Sequence, residues 1–215
     1  IKLTEEKNLS PIHVENALRH FGKIKALDDF SLTVNPGEFV GLIGPNGAGK
    51  STLIGSLLDL VKLQGGEARV FGHNPGETQG KEKIGYLPEL NPLYPEMTVY
   101  EYLEFIANLR KISGKRFRDA LSSVVDKCGL QGVVHKQISS CSKGYKQRIG
   151  LAGSMIHDPK ILILDEPVTG LDPNQIVEIR QLIKSLGREK LVLMSSHILQ
   201  EIQATVDRIM IIHQG

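Results

Sequence analysis

The chain has 215 residues, 40% of them hydrophobic, with a formal net charge of +2. That length suffices for one sizeable α/β domain, alone or with a subdomain, and a pI of about 8.5 is too mild a bias to call for nucleic acid or an anionic membrane as partner. No run of about 18 apolar residues occurs, the N-terminal stretch does not read as a secretory signal, and Cys128 and Cys141 have no metal-type spacing, so the expectation is a cytosolic protein with reduced thiols and no membrane span.

Ile1 to Pro11 is polar and aperiodic and reads as a tail. From His13 to Val34 the apolar spacing predicts two or three antiparallel strands, broken at Phe21-Gly22-Lys23 and at Asp28-Asp29. Phe21 sits at the tip of the first turn, where an exposed ring can stack on adenine; the spacing also suits an ordinary core phenylalanine. Glu38 to Ile43 is a mostly apolar run, read as a buried strand.

The next residues, Gly44-Pro45-Asn46-Gly47-Ala48-Gly49-Lys50-Ser51-Thr52, contain the spacing G-x-x-x-x-G-K-[ST]. Glycines there let consecutive backbone N–H groups approach an anion that a Cβ would keep away. Lys50 offers a point charge to the outer phosphates and the Ser51 hydroxyl a ligand for Mg²⁺. Leu53, Leu57, Leu58 and Val61 follow at helical spacing, which aims a helix N-terminus at the phosphates. Strand, loop and helix together predict nucleotide binding.

Gly65 to Phe71 and Ile84 to Leu87 read as strands, the second ended by Pro88, and Asn91 to Pro95 as a loop. Thr98 with Glu101 predicts a capping box, opening a helix whose apolar face is Val99, Tyr102, Leu103, Ile106 and Leu109. A second helix is expected over about Lys115 to Lys127, then a linker or short helix over Gly129 to Gln137. No convincing strand appears between Glu89 and about His157. The sheet resumes at Lys160 with Ile161 to Leu164, a continuous apolar run suited to a central parallel strand. Asp172 and Pro173 predict a helix start, with Ile176, Ile179, Ile183 and Leu186 facing inward. Leu191 to Met194, a short helix and Ile209 to Ile212 complete the pattern.

An apolar strand ending in Asp165-Glu166 complements the phosphate loop. Asp165 is placed to hold Mg²⁺; Glu166, one residue further along an extended chain, points the other way and can take a proton from an attacking water. His197 follows the next strand. If the C-terminal ends of parallel strands share a rim, it lies near the γ-phosphate; a structural histidine is the other reading.

These motifs resemble those of the ATP-binding-cassette (ABC) ATPase subunits, with a match running from about His13 to Gly215. Cys141-Ser142-Lys143-Gly144-Tyr145-Lys146-Gln147-Arg148 resembles the family's signature, LSGGQ followed by basic residues, ahead of ILILDEP. Gly170-Leu171-Asp172-Pro173 is similar to its D-loop and Ser195-Ser196-His197 to its switch-histidine region. Phe21 falls where the family has its adenine-stacking aromatic. IGYLPE, NPLYPEMTVYEYLEF and SSHILQEIQATVDRIMII are most similar to the ABC-2-type exporter branch, close to the gliding-motility and multidrug export ATPases.

The resemblance implies an α/β P-loop nucleotidase core with a mostly parallel sheet, an N-terminal antiparallel β subdomain and an inserted α-helical subdomain. Within a single nucleotide-binding domain, residues 12–88 and 158–215 would form the core and residues 89–157 the helical part. It implies a transport-coupled ATPase with ATP and Mg²⁺ as cofactors, Glu166 and His197 as catalytic residues, and Ser51, Asp165 and Glu89 about the metal. Two cassettes, as a homodimer, would enclose two ATPs, with Ser142, Lys143, Gly144 and Asp172 of one facing the phosphate loop of the other. Transmembrane permease subunits would provide the only membrane contact, on the cytoplasmic face, with no role for nucleic acid. The chain departs from the pattern at Cys141, Lys143 and Tyr145 in the signature, and at Glu89, where the family usually has Gln. A nucleic-acid or ribosomal ABC protein would carry tandem cassettes, coiled coils or zinc inserts, which are absent from this sequence; a non-hydrolysing regulatory module would commonly lack Glu166.

Overall fold

The computed structural model describes residues 10–215; the polar tail read at the N-terminus lies almost wholly outside them. β1 (Ile12–Phe21) and β2 (Ile24–Val34) form an antiparallel hairpin, turned at Gly22, whose φ is 60°. Asp28-Asp29 does not break the second strand. Asn16 and Asp29 both take left-handed backbone conformations (φ 48° and 61°), which these short polar side chains tolerate. The Asn16 amide donates to Asp29 Oδ1 at 2.6 Å, so the hairpin absorbs a register shift here instead of ending. The third strand of this sheet comes from further along the chain: β4 (Gly65–Val70) pairs with β1, giving the order β2-β1-β4.

β3 (Phe39–Ile43), β5 (Ile84–Leu87), β6 (Ile161–Asp165), β7 (Leu191–Ser196) and β8 (Arg208–Ile211) form a second sheet in the order β5-β6-β7-β3-β8. Every pairing in it is parallel. Its central strands are buried on both faces. Val40, Leu42, Ile161, Ile163, Leu191 and Leu193 pack toward the three-stranded sheet. Their alternates, including Leu162, Leu164, Val192 and Met194, pack toward the helices on the other side. That is why these strands read as unbroken apolar runs.

α1 (Lys50–Leu57) follows β3 and is shorter than its leucine spacing predicts. The chain folds back at Gly55, whose carbonyl accepts from the N–H groups of both Leu60 and Val61, and the Val61 side chain fills the space a Cβ would need there. A four-residue helix, α2 (Thr78–Lys81), precedes β5. Between β5 and β6 the regular structure is helical: α3 (Val99–Leu109), α4 (Gly114–Cys128), a 3-10 turn at Ile138–Ser140 and α5 (Lys143–Met155). A single bridge joins Thr98 to Gln137. The capping box at α3 is present, with the Thr98 hydroxyl accepting from Glu101 N and the Glu101 carboxylate accepting from Thr98 N. Leu109, expected on the buried face, is 65% exposed; the helix ends at that residue, and Ala107 takes the buried position above Leu103. α6 (Pro173–Leu186) opens with a second capping box between Asp172 and Gln175, and α7 (Leu199–Gln203) connects β7 to β8. Cys128 and Cys141 are buried and unpaired, and burial pushes the Cys128 thiol up to about 12.

Candidate nucleotide-binding site

The site is built where three parallel strands end. β7 lies between β6 and β3; Asp165 is level with Ser195 and Ile43 with Ser196. The phosphate loop leaves β3 at this rim. Its turn needs glycine at Gly49, the N-cap of α1, where φ is 112° and a Cβ would stand 2.2 Å from the carbonyl oxygen of Ala26. Gly47 is also left-handed, at φ 82°. Lys50 starts the helix and folds back over its own loop, donating to the carbonyls of Gly44 at 2.5 Å and Pro45 at 3.2 Å. Its Nζ stands 3.8 Å from Glu166 Oε1, with both side chains buried.

Asp165 ends β6. Its Oδ1 accepts from Ser195 Oγ at 2.6 Å, and the same hydroxyl accepts from Glu166 N at 3.0 Å. Burial holds the Asp165 carboxyl above the usual carboxylate range; the Glu166 charge adds to this, while the Ser195 hydrogen bond and Lys50 oppose it. Glu166 does not continue the extended chain. Its φ of 48° turns the backbone out of the strand, so Asp165 and Glu166 line the same cleft where alternation would have separated them. Such a conformation costs about 1–3 kcal/mol and persists where the surroundings hold it. Here the holding contacts are Ser195 at its N–H, Thr169 Oγ1 at 3.3 Å from Oε2, and His197 Nδ1 at 2.8 Å from the same oxygen.

Phe21, Asn46, Gly47, Gly49, Lys50, Ser51, Thr52, Glu89, Asp165, Glu166 and His197 surround one cleft of about 450 Å³, together with Ile24, Ala26 and Thr169. Phe21 is 44% exposed at its edge. Gly44, Pro45 and Ala48 form the loop without lining the cleft. Four residues named from the sequence lie elsewhere. Ser142 caps α5, accepting from Tyr145 N at 3.3 Å. Lys143 Nζ donates to Gly170 O at 2.8 Å. A Cβ at Gly144 would press on the Gln175 side chain at 3.2 Å, and Asp172 caps α6. Lys143 lines a neighbouring groove that shares only Glu89 and Thr169 with the cleft.

The carboxylate-holding roles of Ser195 and Thr169 escape a sequence reading: each acts through a hydroxyl, and serines and threonines are too common for that role to carry a motif. The register that sets Ser195 beside Asp165 is the only signal for it.

A family model described as ABC transporter matches residues 27–169. The chain belongs to the ABC transporter family. An uncharacterized ABC transporter ATP-binding protein of Synechocystis is 38% identical over 196 residues, 90% of this chain and 55% of its own length. The bacitracin transport ATP-binding protein BcrA of Bacillus licheniformis is 38% identical over 208 residues, 95% of this chain and 67% of its own length. The cassette thus spans little more than half of the Synechocystis relative. Among solved structures, cbiO1 of Clostridium perfringens, part of the ABC transporter complex cbiONQ, superposes with a TM-score of 0.87 at 25% identity, covering 97% of this chain and 86% of that one. The phosphate loop that borders the cleft lies within the stretch that the family model matches. Among the described residues, no helix is long and apolar enough to cross a membrane.

Proposed function

We propose that this cassette hydrolyses ATP to drive transport through separate ABC-2-type permease subunits on the cytoplasmic face of a membrane. The observation that carries the reading is the convergence of Lys50, Asp165, Glu166 and His197 on one cleft under the phosphate loop. Lys50 neutralises the outer phosphates, which draw it from its present contact with Glu166. The Glu166 carboxylate, released from that cation, takes the proton of a water aimed at the γ-phosphorus. His197 orients the carboxylate through Oε2 and presents its other ring nitrogen toward the phosphate side. Ser51 and Asp165 are hard oxygen donors that suit Mg²⁺, with Glu89 at the same cleft wall; the ion would spread the charge of the β- and γ-phosphates.

Pairing of two cassettes is supported by what the cleft lacks. Ser142, Lys143, Gly144 and Asp172 do not line it; Ser142, Lys143 and Asp172 are exposed, with Gly144 buried beside them, so the ATP of a second copy is what this surface would meet, where the N-terminus of α5 favours an anion. The partner permease is supported by an aromatic groove of about 410 Å³ between Tyr86 of β5 and Tyr94, Tyr102 and Phe105 of the helical part. The transported substrate belongs to the permease. Phosphate release from Mg-ATP by the native chain, abolished in Lys50→Ala, together with co-purification of a polytopic permease from membranes, tests the reading. Absence of turnover in the presence of that permease would overturn it.

A further inference from the structure

Arg19 and Phe21 stand two residues apart at the end of β1. The guanidinium carbon lies 4.5 Å from the centroid of the Phe21 ring, inside the range at which a cation is drawn to an aromatic face. Nη1 of Arg19 donates to the backbone carbonyl of Lys62 at 3.0 Å, in the segment that follows α1. Nε is buried without a hydrogen-bond partner, so the group is held by the ring on one side and by one carbonyl on the other. Phe21 lines the ATP cleft and Arg19 does not. The guanidinium therefore covers one face of the ring from outside the cleft and leaves the other for a ligand.

We propose that Arg19 is a positioning residue for the nucleotide base, acting through Phe21. The inference rests on the cleft being the ATP site. Phe21 is at the tip of a turn and half in solvent, so an unsupported ring would lose rotamer freedom whenever a base stacked on it. A ring already fixed by a guanidinium loses less. The cation also draws π density toward itself, which lowers the repulsion between the ring's far face and an electron-rich purine. Through the Lys62 carbonyl the guanidinium is tied to the chain leaving α1, whose first turn carries Lys50 and Ser51. The seat for the base and the seat for the phosphates are thereby held at a set separation.

The test is isothermal titration of the native chain, Arg19→Met, Phe21→Leu and the double variant. Each is titrated with ATP and with inorganic tripolyphosphate, which has no base. Arg19→Met is expected to raise the Kd for ATP about three- to tenfold while changing that for tripolyphosphate less than about twofold. In the Phe21→Leu background the same substitution is expected to add nothing. Arg19→Lys, which keeps a cation and loses the planar fork, recovers part of the loss; with Arg19→Gln it carries the comparison if Arg19→Met does not fold. Equal weakening of both probes, a loss that persists without the ring, or an unchanged ATP affinity overturns the inference. A native chain that binds neither probe sinks the nucleotide reading and this inference with it. A Phe21→Leu variant that loses ATP affinity beside an Arg19→Met variant that does not leaves the nucleotide reading standing and overturns this inference alone.

Discussion

Nδ1 of His197 lies 2.8 Å from Oε2 of Glu166, while Nζ of Lys50 stands 3.8 Å from the other carboxylate oxygen. Glu166 is thus held by a ring that can stay and by a cation that incoming phosphates can attract away. Glu166→Gln keeps the size and loses the basicity. It is expected to bind ATP and to lower turnover at least about 100-fold, measured as steady-state phosphate release beside equilibrium ATP binding. Near-native hydrolysis would remove Glu166 from the base role.

ATP is expected to join two cassettes, because the α5 N-terminus and Asp172 lie outside their own chain's cleft. The chain should sediment as a monomer or weak dimer without nucleotide. Glu166→Gln with Mg-ATP should sediment as a dimer. No ATP-dependent shift at high protein concentration would argue against a shared site.

Glu89 reaches the cleft wall from the loop after β5 and is exposed there. An ionised carboxylate only accepts hydrogen bonds, whereas Gln also donates. Repulsion from the phosphates is expected to make ATP binding more dependent on Mg²⁺ than it would be with Gln; two unit charges about 4 Å apart interact by about 4 kcal/mol at an effective dielectric near 20, an upper bound for this open cleft. Glu89→Gln should tighten binding in EDTA more than in Mg²⁺. Equal changes in both conditions would show that Glu89 faces only solvent.

Tyr94 stacks edge-on against Phe105 at 5.5 Å and stands over Tyr102. Tyr102 is buried and Tyr94 is not, so Tyr94 is the ring a partner would meet. Tyr94→Glu is expected to leave ATP binding and folding intact while lowering permease-stimulated turnover. Loss of the folded state in circular dichroism would make Tyr94 a core residue instead.

Nε2 of His157 lies 3.0 Å from the carbonyl of Ile84, so that nitrogen carries the proton, and Nδ1 is buried without a partner. Burial, with Arg110 nearby, lowers the ring's pKa from 6.5 to about 4. Between those values the unfolded chain binds a proton that the folded chain refuses, so the stability is complete above about pH 6.5 and is lost as pH falls toward 4. The loss is about 3 kcal/mol at most. Urea unfolding of His157→Gln should show a shallower pH slope in that window than the native chain. Identical slopes would assign acid sensitivity to other groups.

Much of the molecule is legible in short stretches of sequence. The phosphate loop, the apolar strand before Asp165 and Glu166, and the capping boxes at Thr98 and Asp172 each depend on residues a few positions apart, where backbone geometry and side-chain reach settle the outcome. Helix ends are less legible: α1 stops at Leu57 because Gly55 accepts the returning chain, a contact no leucine spacing reports.

Other features depend on which distant segments pair, and only the tertiary structure decided them. β4 joins the N-terminal hairpin across an intervening strand and helix, and β7 enters between β6 and β3, because those arrangements bury both faces of the parallel strands. That pairing sets Ser195 against Asp165. The left-handed turn at Glu166 then brings two carboxylates to one cleft, against the alternation an extended chain would impose. Lys143 is bonded to the carbonyl of Gly170, and Arg19 backs Phe21 while bonding a carbonyl beyond α1. Motif chemistry is local and survives in the sequence. The partners that orient it are contributed by residues far along the chain, and their positions exist only once the sheets have packed.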